Sequence, residues 1–237
     1  MATSASLQAS SPREPIAPAW HTVVVLLVLL GFSALSAYKA ALPGVKTHSR
    51  ISGYILAMAM EWGLVAFIWY AVKRRGTGIR ELIGGRWAGF ADFFRDFGIG
   101  IAFVIVCGFG VTGVVTHLLK AQRPPGVRNL LPQGPTEIAV YLLVAATAGF
   151  CEELIFRGYL QRQFTAWTGA ASAGLVLQGI VFGAAHGYQG WKMMVAITVY
   201  GITFGLVAMW RRSLRPGMIA HFMQDGLGGV LGRHLMR

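Results

Sequence analysis

The chain has 237 residues, of which 55% are hydrophobic and only 13% charged, and it carries 31 glycines. Soluble domains carry about a quarter charged residues, so that class is excluded and a polytopic membrane protein is the expectation. The net charge is +12, but its lysines and arginines stand between apolar runs and form no single basic stripe. They read as anchors against the lipid bilayer, and nucleic acid is not an expected partner.

Residues 1–18, rich in Ser, Ala and Pro and lacking an apolar period, read as a disordered tail. The first apolar run, 20–38, has no basic stretch before it and is followed by more spans, so a retained helix is expected instead of a cleaved signal. The second run, 51–72, ends in Lys73, Arg74 and Arg75; the third, 97–119, follows a charged connector in which "WAGFADFFRDF" reads as a short interfacial helix. Span four begins at Ile138 and continues through "GFCEELIFRGYL". Spans five, six and seven are placed at 170–187, 191–210 and 216–231. Crossing the hydrocarbon core takes about 20 mostly apolar residues per helix, so the expected fold is an all-α polytopic bundle of about seven transmembrane helices. Residues 19–135 would form spans one to three, and 136–232 a core of spans four to seven. Cys107 and Cys151 both fall in apolar segments and imply no disulfide framework.

With the amino terminus cytoplasmic, that side carries Arg13, Lys73, Arg74, Arg75, Arg80, Arg86, Arg95, Arg162, Arg211, Arg212 and Arg215. The other side carries Lys39, Lys46, Arg50, Lys120, Arg123, Arg128, Lys192, Arg233 and Arg237. Eleven against nine favours this orientation, with the plasma (cytoplasmic) membrane as the expected location.

The chemistry concentrates in spans four, five and seven. An ionised side chain at a helix centre costs roughly 2.5–3.5 kcal/mol, and "GFCEELIFRGYL" places Glu152, Glu153 and Arg157 together. Glu153 and Arg157 are four apart with the acid first, the favourable order for an ion pair. Glu152 lies about 100° around the helix and is left to act on a water or accept a proton. The plainer reading is a solvated helix end at the interface. "VFGAAHG" sets Phe182 and His186 four apart, with small Gly183, Ala184 and Ala185 allowing close helix approach. "MIAHFMQDG" sets His221 and Asp225 four apart. A lone histidine in a span is usually a packing residue; two histidines and three carboxylates on three apolar helices relieve their desolvation only by converging.

"EELIFR", "FGAAH" and "HFMQD" resemble, in order and on successive helices, the Glu-Glu-x-x-x-Arg, Phe-x-x-x-His and His-x-x-x-Asn/Asp motifs of the CAAX protease and bacteriocin-processing (CPBP, or Abi) family. The resemblance covers roughly residues 136–232. It implies peptide-bond hydrolysis within the membrane, on a peptide or prenylated protein substrate of the CAAX type. Glu152 would be the general base, Glu153 and Arg157 its support, His186 a holder of the water, and His221 with Asp225 the oxyanion site. Asp225 stands where the family often has Asn, and an ionised carboxylate repels an oxyanion, so Asp225 would be protonated or would orient His221. Family members are often called metalloproteases. Glu152, His186 and His221 could form a three-ligand zinc set, but no H-E-x-x-H helix is present, so no cofactor is expected and zinc is the alternative. Competing functions are a proton-coupled transporter using the same groups and a proteolytically inactive scaffold.

Straight antiparallel spans would place Glu152 and His221 toward the cytoplasmic half and His186 toward the far end, unless span five begins deeper or is broken. Among the remaining residues, Glu61 in the middle of span two could line the same cavity, but reads rather as the partner of a stray arginine or as a backbone-bonded protonated acid. His117 and Lys192 read as snorkelling span-end residues. Trp20, Trp69, Trp191 and Trp210 suit the aromatic belts.

Overall fold

A computed structural model describes residues 14–41, 49–121 and 130–235, and no strand occurs among them. The helices are α1 (Ala19–Ala41), α2 (Arg50–Arg74), a short α3 (Ile79–Ile83), α4 (Phe90–Leu118), α5 (Pro135–Thr168), α6 (Ala171–Ala185), α7 (Trp191–Arg211) and α8 (Arg215–Leu235). The protein is an all-α, multi-pass integral membrane protein.

All seven expected spans are helical, and five of those helices (α1, α2, α4, α5 and α7) are long and apolar enough to cross a membrane. The other two differ for separate reasons. Helix α6 has 15 residues, about 22 Å of rise against a core of about 30 Å. Helix α8 is long enough, but His221, Gln224 and Asp225 dilute its apolar character.

"WAGFADFFRDF" does not form a separate interfacial helix: Phe90 begins α4, which continues without a break into the third span. An apolar run of this strength extends an existing helix at less cost than nucleating a second one. The tail expectation also fails at its end. Ala17 is fully buried; its N–H donates to Gln163 Oε1 at 3.2 Å and its carbonyl accepts from Gln163 Nε2 at 2.7 Å. Residues 1–13 lie outside the described residues, as do Arg13, Lys46, Arg123, Arg128 and Arg237 of the charge count.

The expected conflict of depth is resolved by the lengths of α5 and α6. Helix α5 runs for 34 residues and continues about 24 Å beyond Glu152. Gly169, at φ +70, ends it in the left-handed conformation that glycine adopts at least cost, and α6 folds back against its last turns. The short return of about 22 Å brings His186, at the end of α6, level with Glu152.

Helix α7 packs along α6, and a β-carbon at Gly183 would strike the Thr198 side chain, so the close approach expected there is present. Helix α8 packs on α5 and α4, and α2 packs on α5. The core lies around the middle of α5, where Leu154, Ile155, Phe156, Tyr159 and Leu160 are almost wholly buried. Two polar networks tie the bundle together. The Phe67 carbonyl can only accept, so His21 Nε2 donates to it at 3.1 Å and His21 Nδ1 accepts from the Tyr159 hydroxyl at 2.8 Å. Thr22 then donates to Tyr159 at 2.8 Å, linking α1 to α2 and α5. In the second network, fully buried Asp96 of α4 accepts from Trp87 Nε1 at 2.9 Å and Arg211 Nη2 at 3.1 Å, and pairs with Arg215 Nε at 3.2 Å.

Candidate active site

Helix α5 changes character at the motif. Residues Glu153–Leu160 are π-helical, a wider i→i+5 turn that occurs often at functional sites. The sequence suggested an ordinary α-helix here, because no proline or other breaker marks the change. A second π-helical stretch, Val104–Val111, lies in α4.

The expected Glu153–Arg157 pair is formed. Arg157 Nη1 donates to Glu153 Oε1 at 2.9 Å, and both side chains are fully buried. Arg157 Nη2 donates to the Gly201 carbonyl at 3.1 Å, and the guanidinium lies 4.3 Å from the centre of the Phe182 ring and 4.8 Å from that of Phe204. A carboxylate, a carbonyl and two aromatic faces thus share the cost of removing this cation from water.

Glu152 does not point away from this pair. His221 of α8 stands between the two glutamates, with Nδ1 3.4 Å from Glu153 Oε1 and Nε2 3.7 Å from Glu152 Oε2. Two directions about 100° apart on α5 can converge on one imidazole because its two nitrogens face opposite ways. Asp225 Oδ2 lies 3.6 Å from His221 Nε2, so three carboxylates surround one histidine. Glu152 Oε2 and Glu153 Oε2 are buried without a hydrogen-bond partner. Gly217 makes this approach possible: a β-carbon there would come within 2.6 Å of Glu153 Oε2.

His186 joins from α6. Its Nδ1 lies 2.8 Å from the Phe182 carbonyl, which can only accept, so Nδ1 carries the hydrogen and Nε2 of the neutral ring carries the lone pair. The Phe182 ring lies between the histidines, 4.8 Å from His186 and 6.0 Å from His221 by ring centres. Ser33 of α1 holds the end of α6 in place, donating to the Ala184 carbonyl at 2.8 Å and accepting from Gly187 N–H at 3.0 Å. Glu152, Glu153, Arg157, His221 and Asp225 therefore form one contact network, with His186 beside it across Phe182.

Sequence reasoning missed two neighbours of this network and gave a third the wrong weight. Ser33 gave no signal beyond being a polar residue in an apolar run. Tyr188 lies in the turn after α6, near enough for the charges of Glu152, Asp225 and Glu61 to act on it. Burial pushes its hydroxyl up to about 12, and those carboxylates push the same way, against the hydrogen bond from Gln189; it remains a donor at neutral pH. The third is Glu61 of α2, which is buried and makes no ion pair with an arginine among the described residues. That corrects the reading of Glu61 as an arginine's partner: Arg157 is taken by Glu153, Arg95 by Asp92, and Arg211 and Arg215 by Asp96.

A zinc site would require Glu152, His186 and His221 to converge on one point. Among the described residues no group of three His, Cys, Asp or Glu side chains is disposed to hold a metal ion. Both nitrogens of His221 face carboxylates, and His186 offers only Nε2.

Residues 134–227 match the family described as Type II CAAX prenyl endopeptidase Rce1-like. That segment contains all three motifs, so the family resemblance read from them holds over it. The Bacillus subtilis protein described as Uncharacterized protein YpbD is 30% identical over 95 residues, 39% of this chain and 43% of that protein. The chain thus matches less than half the length of this relative. No solved structure matches.

Proposed function

We propose that this chain, Rce1-like over residues 134–227, is an intramembrane endopeptidase that hydrolyses a peptide bond of a membrane-associated or lipidated CAAX-type substrate. The observation that carries the reading is the unequal treatment of the two glutamates. Glu153 is fixed by the Arg157 guanidinium at 2.9 Å, whereas Glu152 has no arginine against it and faces His221 at 3.7 Å.

In the proposed reaction, Glu152 takes a proton from water as the water oxygen bonds to the scissile carbonyl carbon. His186 Nε2, left with its lone pair, accepts a hydrogen bond from the water's second O–H and aims the oxygen; that hydrogen stays on the oxygen. His221 faces the oxyanion that forms, and Asp225, 3.6 Å from its Nε2, holds the imidazole in orientation. This assigns Asp225 the orienting role. Glu152 then passes its proton to the departing amine as the C–N bond breaks. Glu153 and Arg157 touch no reacting atom; they fix the backbone turn and one side of His221.

The test is cleavage of a prenylated CAAX peptide by the purified full chain in lipid vesicles, compared with Glu152→Gln. Loss of cleavage with unchanged folding supports the reading; undiminished cleavage in the variant refutes it. Adding a zinc chelator to the intact protein should leave the rate unaltered.

A further inference from the structure

Helices α6 and α7 meet along a face of glycines. A β-carbon at Gly179 would come within 2.6 Å of Ile202, one at Gly183 would strike Thr198, and one at Gly201 would come within 2.8 Å of Phe182. Small residues bring two helices close within a bilayer, but a smooth face fixes their separation better than their register. One polar side chain interrupts it. Gln178 of α6 is wholly buried, and its Nε2 donates to the Leu175 carbonyl of its own helix and to the Gly201 carbonyl of α7, both at 3.0 Å. The Gly201 carbonyl also accepts from Arg157 Nη2 of α5 at 3.1 Å, so three helices are joined at one oxygen. Gly205 leaves room for the amide: a β-carbon there would lie 2.8 Å from Gln178 Nε2.

Stability alone does not account for this amide. Its Oε1 is buried without a hydrogen-bond partner, and an unsatisfied buried acceptor destabilises, a cost that methionine, of similar shape, would avoid. The best-attested use of such a buried polar group is to set register. Gln178, Phe182 and His186 are spaced four apart and stand on one face of α6. That face meets the site: the centre of the Phe182 ring lies 4.3 Å from the Arg157 guanidinium and 4.8 Å from that of His186. A slip of α6 by one turn, about 5.4 Å, would carry both rings out of place. We infer that Gln178 is a positioning residue of the active site: it locks α6 to the carbonyl that holds Arg157, and so sets the depth at which His186 stands beside the Glu152–His221 network. The catalytic consequence rests on the endopeptidase reading; the register of α6 does not. Gln178 touches no reacting atom, and no proton passes through it.

Two measurements on the full chain in lipid vesicles test this inference. The first needs no substrate. Spin labels at the exposed positions Leu143→Cys on α5 and Ile180→Cys on α6, in a chain carrying Cys107→Ala and Cys151→Ala, report the distance between the two helices by pulsed electron paramagnetic resonance. One narrow distance distribution is expected with Gln178 in place. After Gln178→Met it should broaden or shift by up to about 5 Å, one helical turn, and Gln178→Leu should do the same; an unaltered distribution in both variants overturns the inference. The second is cleavage kinetics. Gln178→Met should lower kcat about tenfold with little change in KM, while the thermal unfolding midpoint stays near that of the intact protein. In a His186→Ala background the same substitution should cost less than about twofold, because no imidazole remains to be positioned. A full tenfold loss in that background, or an undiminished kcat in the single variant, overturns the positioning role. A chain whose α6 shifts as expected but which cleaves nothing in any form refutes the endopeptidase reading and leaves the register role standing.

Discussion

Asp96 and Glu153 are both wholly buried carboxylates on apolar helices, yet one is saturated with donors and the other is not. Asp96 receives Trp87 and Arg211 and pairs with Arg215, so both of its oxygens are engaged. It fastens the start of α4 to the α7–α8 turn, where Arg212 takes the left-handed conformation at φ +48. Glu152 and Glu153 share one arginine and one histidine, and each keeps an unpartnered oxygen. Leaving a buried acceptor unsatisfied costs about 1–3 kcal/mol, a cost that a purely structural fastening avoids, as Asp96 does. Both oxygens of Asp96 are engaged, whereas Glu152 and Glu153 each keep one that the proposed reaction would leave available to an incoming water.

The most severe way to break this contrast is Glu152→Gln, which keeps the shape and removes the base. Peptide cleavage should fall by about 10²–10⁴-fold, while the thermal unfolding midpoint stays near that of the intact protein. If the midpoint collapsed along with activity, Glu152 would be a staple like Asp96.

Arg157→Met comes next. It leaves the Glu153 carboxylate buried without its cation, which for broken buried pairs costs about 3–5 kcal/mol. Unfolding of the purified chain should register that loss, and the fraction that remains folded should cleave poorly because His221 loses the fixed acid on its Nδ1 side. Asp96→Asn should destabilise by about 3 kcal/mol, since Arg211 and Arg215 then lack a counter-charge. Its folded fraction should cleave at the normal rate. A rate change there would show that the two carboxylate clusters are coupled through α8.

Much of this arrangement was legible in the sequence, and the omissions have physical causes. The seven helical segments, the Glu153–Arg157 pair and the His221–Asp225 proximity follow from apolar length and i,i+4 spacing, both local properties. The Asp96 cluster joins residues more than a hundred positions apart, Asp96 with Arg211 and Arg215, and no periodicity connects them. The convergence of Glu152 on His221 depends on where α8 crosses α5, set by Gly217 and by Gly149, where a β-carbon would lie 2.9 Å from the Met218 carbonyl. The depth at which His186 comes beside the network, across Phe182, depends on the excess length of α5, concealed because "QRQFTAWT" is polar enough to resemble a loop after span four.

Ser33→Ala is the mildest test, and it asks how far the site's geometry depends on α1, which lies outside the segment matching the family. The hydroxyl makes two hydrogen bonds, to the Ala184 carbonyl and from Gly187 N–H, on either side of His186. Alanine removes both without adding bulk, so global stability should fall by only about 1 kcal/mol. Its effect on catalysis enters through His186: with the end of α6 released, the ring keeps its bond to Phe182 within α6 while the helix end shifts relative to Glu152. The expected result is a several-fold drop in kcat with little change in KM, because positioning of the attacking water is lost and substrate binding is not. An unchanged kcat would mean that α6 holds His186 without help, and that α1 contributes only packing and the His21–Tyr159 link to the rest of the bundle.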